Sequence, residues 1–181
     1  DVGVVLDNMF FQEILIPHDI NTIMKDIYKN WDTTLFNDYL SEFGINFNQT
    51  LKTMSKGMRK KVEIATSLAH KPKLLILDEP TSGLDPVVRN EVLEIFQKFV
   101  SDEEHTILFS THITSDLEHI ADKIIFIDKG QIVLNELRDE IIDNYGILKC
   151  SLDSFDKIDK KDIICYKKNK YNYEILIYDK N

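Results

Sequence analysis

The run Leu74-Leu75-Ile76-Leu77-Asp78-Glu79-Pro80 constrains this chain more than any other stretch of it. Four consecutive apolar residues closed by acids and a proline are too few for a membrane span or a long core helix. They fit a strand buried on both faces, which is the parallel strand of an α/β sheet. In open α/β sheets, ligands bind beyond the carboxyl ends of the strands, where Asp78 and Glu79 emerge. Asp78 at the strand end is placed to hold a hard cation such as Mg²⁺, directly or through water, against nucleotide phosphates. Glu79 is then free to orient or deprotonate an attacking water. Taken alone, the same residues also fit a strand that merely closes in a turn, with Pro80 ending the ladder and both acids solvated.

Two further stretches bear on that choice. Upstream, Met54-Ser55-Lys56-Gly57-Met58 opens a helical pattern through Val62, Ile64, Ala65, Leu68 and Ala69 that stops before Pro72. Downstream, Ile107-Leu108-Phe109 reads as a second buried strand ending in Ser110-Thr111-His112. In this order and spacing, residues 2 to 135 resemble an ATP-binding cassette (ABC) ATPase. The resemblance makes residues 54–58 the signature motif, 74–79 the Walker B strand, 82–85 the D-loop and His112 the switch histidine.

It implies a P-loop-like α/β core with a mainly parallel sheet and a helical subdomain. It implies ATP and Mg²⁺ as cofactors, with Asp78 on the metal and Glu79 and His112 as catalytic residues. Ser55, Lys56, Gly57 and Asp85 would meet the ATP of a partner subunit, and Asp7 would stand where the family carries its Q-loop glutamine. Each of these residues has a plainer reading. Ser55 is a good helix N-cap, and Gly57 is tolerated in a first turn. Asp85 before Pro86 is an N-cap followed by a proline at the first helical position. A histidine after a strand is often an exposed turn residue. His18, His70, His105 and His119 match no motif and read as surface or helix-end residues, and neither the histidines nor Cys150 and Cys165 have zinc-site spacing.

None of the six glycines begins the Gly-x-x-x-x-Gly-Lys-Ser/Thr phosphate loop, so these 181 residues contain no Walker A motif. The resemblance therefore implies the C-terminal part of a longer protein, inactive as an isolated chain. Its two departures from the family pattern are Asp7 for the glutamine, and Lys56 and Met58 within the signature. The Ser-Lys-Gly-Met variant looks like that of bacterial exporter ATPases of the ABC-2 type, and Lys56 would add positive charge near phosphate.

Composition narrows the setting. A formal charge of -9 argues against a nucleic-acid surface. No apolar run approaches the roughly 20 residues that cross a bilayer, so membrane contact is expected through a partner. Two cysteines suggest a reducing compartment without a disulfide framework. The expected partners are a transmembrane permease subunit and a second nucleotide-binding subunit, identical or different. The expected location is cytoplasmic, against the inner face of the cell membrane.

Along the chain, residues 2–7 read as a strand and 8–18 as a loop carrying Phe10, Phe11 and Pro17. Residues 19–70 read as the helical subdomain, with Ile20, Ile23, Met24 and Ile27 on one stripe and Leu35, Phe36, Tyr39, Leu40 and Phe43 on another. By resemblance, this surface and the Phe10-Phe11 loop grip a membrane partner; Trp31 reads as core. The basic cluster Lys56, Arg59, Lys60 and Lys61 fits a solvated helix face as well as a phosphate-steering one. The helix after Asp85 should pack on the sheet through Val88, Val92, Ile95, Phe96 and Phe99. The domain expectation is 1–145 for the ATPase part and 146–181 for a small β-rich appendix. Besides the transporter subunit, two other functions fit less well: an ABC-derived module that only docks, and an ABC ATPase of DNA repair or translation.

Overall fold

The computed structural model describes residues 1–7 and 9–178. The chain divides into two compact units, Asp1–Ile120 and Ala121–Asn181. The first is built on a three-stranded parallel sheet of β1 (Val2–Val5), β2 (Leu74–Asp78) and β3 (Thr106–Ser110), in the order β1-β2-β3. Val4, Ile76 and Leu108 share one cross-strand row, and Val5, Leu77 and Phe109 the next. Side chains alternate across a pleated sheet, so these two rows face opposite ways.

The face carrying Val5, Leu75 and Leu77 is covered by α3 (Lys56–Leu68) and α4 (Pro86–Phe99), through Ile64, Leu68, Val92, Ile95 and Phe96. Each such fully buried side chain contributes roughly 1.5–3 kcal/mol relative to exposure. Gly3 allows the close approach: a Cβ there would stand 2.6 Å from Leu75 and 2.7 Å from the Ser67 carbonyl oxygen of α3.

The other face is open. Val2 and Val4 are exposed, Leu74 and Ile76 are half-buried, and Leu108 is 60% exposed. The strands at Leu74 and Ile107 read as buried on both faces, with an apolar face expected to lie open where neighbouring strands and helices are missing from these 181 residues, and such a face is open here. Their apolar runs are continuous, but helices of this unit cover only one side.

A second core lies among α1 (Pro17–Ile27), α2 (Thr33–Glu42), the 3-10 turn Leu51–Thr53 and α3. Ile20, Phe36, Leu40, Leu51, Val62 and Ala65 are fully buried there, with Phe11, Met24, Trp31, Tyr39 and Phe43 packed around them. The expected stripe on α1 is narrower than its sequence pattern, because Ile23 and Ile27 stay exposed. Pro17 belongs to α1, at its first position, where a missing N–H costs nothing. The loop after β1 is pinned to the segment before Ser55: Leu51 N–H donates to Leu15 O (2.9 Å) and Lys52 N–H to Glu13 O (2.8 Å).

His70 differs from its sequence reading as a surface residue. It is 2% exposed, stacks on Tyr28 with centroids 4.2 Å apart, and bonds through Nε2 to Val2 O at 3.1 Å. The basic cluster is only in part a solvated face: Lys56 is exposed, whereas Lys60 and Lys61 are not. Lys60 is buried against Glu63 (2.8 Å) and donates to Leu6 O (2.7 Å), while Lys61 pairs with Glu91 (2.5 Å). Burial pushes the Glu63 carboxyl up, against the opposing pull of Lys60.

After α5 (Thr114–Ile120), the second unit begins with the antiparallel hairpin β4 (Lys123–Asp128) and β5 (Gln131–Leu137), turning at Lys129-Gly130. Next come α6 (Arg138–Asn144) and a three-stranded antiparallel sheet in the order β6-β8-β7. Its strands are β6 (Tyr145–Ser151), β7 (Ile163–Lys168) and β8 (Asn172–Tyr178). Ile175 is fully buried there, and Phe155 stacks on Tyr173 at 4.0 Å. Cys150 and Cys165 are free thiols. Among the described residues, no helix is long and apolar enough to cross a membrane.

Candidate active site at the strand ends and the signature helix

Asp78 and Ser110 are register partners at the carboxyl ends of β2 and β3, on the open face of the sheet. Ser110 Oγ donates to Asp78 Oδ1 at 2.6 Å, which fixes the carboxylate through one of its two oxygens. One oriented, exposed carboxylate suits Mg²⁺, which keeps most of its shell as water and phosphate oxygen. Among the described residues, no group of three or more His, Cys, Asp or Glu forms a protein cage for a metal.

Glu79 leaves the strand in the left-handed region, at φ 46°. A long side chain rarely adopts that conformation, and such strain persists only where surrounding bonds determine it. Here they do: Glu79 N–H donates to Ser110 O (3.1 Å), and Ser82 N–H donates to Glu79 O (3.1 Å). The turn swings the carboxylate to His112, whose Nδ1 lies 2.7 Å from Glu79 Oε2. An ionised carboxylate only accepts, so the ring nitrogen facing it carries the proton.

Asp85 caps α4, its Oδ1 accepting from Val87 N–H and Val88 N–H, each at 3.1 Å. Ser55 caps α3, its Oγ accepting from Met58 N–H at 3.2 Å. Both plainer readings of these residues therefore hold. Capping uses only an acceptor lone pair of Ser55, so the exposed hydroxyl still has its proton to donate.

Gly57 sits against α4: a Cβ there would stand 3.1 Å from Val88 Cγ1. Lys56 folds toward the turn before Asp85, its Nζ 2.7 Å from where a Cβ of Gly83 would be. Gly83 itself has φ 69°, a conformation that favours glycine. The signature residues and the Gly83-Asp85 turn are thus neighbours within one chain. Asp7, Lys56, Arg59 and Glu63 line a cleft of about 270 Å³, which brings Asp7 to the same side of α3.

The structure therefore joins Asp78, Glu79 and His112 in one cluster and Lys56, Gly57 and the Asp85 turn in another. Ser110 was missed as a functional candidate. The signal for it lay in the sequence, as the last residue of the strand adjoining that of Asp78.

Residues 6–82 match the family model described as ABC transporter. The lantibiotic transport ATP-binding protein SrtF of Streptococcus pyogenes is 51% identical over 86 residues, which is 48% of this chain and 37% of that protein. The ABC transporter ATP-binding protein YtrB of Bacillus subtilis is 31% identical over 124 residues, or 66% of this chain and 42% of that one. The energy-coupling factor transporter ATP-binding protein EcfA2 of Enterococcus faecalis is 44% identical over 80 residues, 44% of this chain and 28% of that protein. The chain thus spans less than half the length of these relatives. A solved metal-chelate type ABC transporter in an inward-facing conformation superposes with a TM-score of 0.65, over 98% of this chain and 72% of that one. At 17% identity, that likeness speaks for the fold alone. Residues 6–82 thus carry the ABC transporter family match, and with the α/β sheet and the motif order the chain is similar to the ATP-binding proteins of ABC transporters.

Proposed function

We propose that the complete protein is the ATP-hydrolysing subunit of an ABC transporter, and that this chain supplies the strand-end acids and the signature segment. The observation that carries the reading is the pairing of Glu79 with His112 at 2.7 Å, beside Asp78 held by Ser110, at the ends of adjacent parallel strands.

In this reading Glu79 takes a proton from, or aligns, the water that attacks the γ-phosphate. His112 donates a hydrogen bond to that phosphate and exchanges its Glu79 contact for it. Asp78 would hold Mg²⁺, with Asp7 a further oxygen donor, and the ion would supply neutralisation of phosphate charge. Ser55 Oγ–H and the free amides at the start of α3 meet the γ-phosphate of ATP bound by a partner subunit. Lys56 adds positive charge there, and Asp85 faces the partner across the dimer.

Binding then closes a two-subunit sandwich and hydrolysis reopens it, which moves a transmembrane permease. The exposed Phe10 and the α1–α2 surface are the docking face for that permease, at the cytoplasmic side of the membrane. The domain division proposed with this reading is an ATPase part through residue 145 and a β-rich appendix from 146. The chain has no Walker A motif of its own, and as an isolated polypeptide it is inactive in this account. The relatives' names, lantibiotic transport and energy-coupling factor transport, support the transporter class and leave the cargo open.

The test is Glu79→Gln in the complete protein. Turnover is expected to fall by about 10²- to 10⁴-fold while ATP still binds and the closed dimer accumulates. Unchanged turnover removes Glu79 as the base.

A further inference from the structure

Asp116 is the most deeply buried charge among the described residues, with 0% exposure, and no motif accounts for it. It lies on α5, four residues beyond His112. Its Oδ2 accepts from Thr81 Oγ1 at 2.6 Å and its Oδ1 from Arg89 Nε at 2.6 Å, with Arg89 Nη2 in ion-pair contact at 2.5 Å. Arg89 Nη2 also donates to Ser115 Oγ at 2.6 Å.

Each of these bonds lands beside a residue of the site. Thr81 is fully buried two positions after Glu79, and its carbonyl accepts from Leu84 N–H (3.2 Å), closing the turn that carries Gly83 into Asp85. Arg89 is one helical turn beyond Asp85, and its N–H donates to Asp85 O at 2.9 Å. Asp116 N–H is bonded to Ile113 O (3.0 Å), and Ile113 N–H to Thr111 Oγ1 (2.9 Å), so the carboxylate is continuous with the loop around His112. The Asp116 side chain thus ties α5, just beyond the His112 loop, to the Thr81 turn and to α4, 35 and 27 residues away in sequence.

A buried ion pair is weak evidence for a stabilising role, because apolar replacements of similar volume are often as stable. What such a replacement cannot supply is direction. A carboxylate that accepts through both of its oxygens from two different elements sets both the distance and the angle between them.

We propose that Asp116 is a positioning residue that holds the Glu79 turn, the start of the Asp85 helix and the His112 loop in a single register, so that His112 faces Glu79. The proposal rests on the roles given above to Glu79 and His112, and it acts through them without touching nucleotide.

The test uses the complete protein and reads the His112 ring directly by ¹H–¹⁵N NMR, without nucleotide. Its baseline is the fraction of ring carrying the proton on Nδ1 in the wild type, and Glu79→Ala defines the ring without its partner. Asp116→Asn is expected to move that fraction most of the way to the Glu79→Ala value. It should also lower kcat about ten-fold or more while the KM for ATP stays within about two-fold. A second variant, Thr81→Val with Arg89→Met and Asp116→Leu, replaces the cluster by apolar groups; it is expected to keep its unfolding midpoint and show the same change at His112.

A His112 spectrum identical to wild type in both variants overturns the proposal, whatever happens to turnover. A wild-type protein that does not hydrolyse ATP would instead refute the functional reading, and the ring spectrum would still decide whether Asp116 sets the position of His112.

Discussion

The strand-end acids and the signature segment are built in opposite ways. Asp78, Glu79 and His112 are held by bonds between residues more than thirty positions apart, Ser110 to Asp78 and His112 to Glu79, around a backbone turn at φ 46°. Ser55 is held by a bond to Met58, three residues on, and by a helix whose buried face packs into both cores of the unit. The chemistry is therefore assigned to groups whose geometry depends on the assembled sheet. In the proposed function, recognition of a partner's phosphate falls to a helix end that is locally complete. Substitutions should follow the same division, altering turnover at the first region and assembly at the second.

The largest expected difference is the loss of turnover in Glu79→Gln with ATP binding preserved, which assigns chemistry to the strand ends. Ser55→Ala comes next. It removes a cap worth about 1 kcal/mol to the fold and a donor to phosphate, so ATP-dependent dimerisation is expected to weaken while the monomer stays folded. An unaltered dimer constant, measured by analytical ultracentrifugation, would place Ser55 among simple caps.

The smallest effect concerns His70, which ties the far end of the signature helix to β1. Burial holds its imidazole below the ordinary histidine range, so the fold keeps it neutral. A depressed folded-state value means that the unfolded chain takes up a proton first. The contribution is complete above about pH 6.5 and is lost as pH falls below it. His70→Gln should flatten the dependence of the unfolding midpoint on pH over that acidic range. An identical slope in both proteins would show that His70 is not the group responsible.

Much of this was legible in the sequence for identifiable reasons. The β2 run, the caps at Ser55 and Asp85, and the stripe Val92-Ile95-Phe96 are local patterns, and each became the expected element. The misreadings were all tertiary. Lys60 and Lys61 look like a solvated basic patch, yet Leu6 O, Glu63 and Glu91 draw them inward. His70 matches no motif, and only the fold brings Tyr28 and Val2 to it. Asp116 has a sequence context no different from that of an exposed helix acid, and its partners lie 27 and 35 residues away. The turn at Glu79 was invisible for the opposite reason: nothing in Asp-Glu-Pro-Thr demands a positive φ, and the bonds that impose it come from Ser110 and Ser82.

The central claim is that the two regions of one chain serve two different ATP sites. Mixing two impaired versions of the complete protein tests this most directly, one carrying Ser55→Ala and the other Glu79→Gln. If each site joins Glu79 of one copy to Ser55 of the other, a mixed dimer contains one fully wild-type site, and ATP hydrolysis rises above the sum of the separate variants. If both residues serve the same site within a single chain, every site in the mixture carries a defect. Turnover would then stay at that sum, contradicting the account.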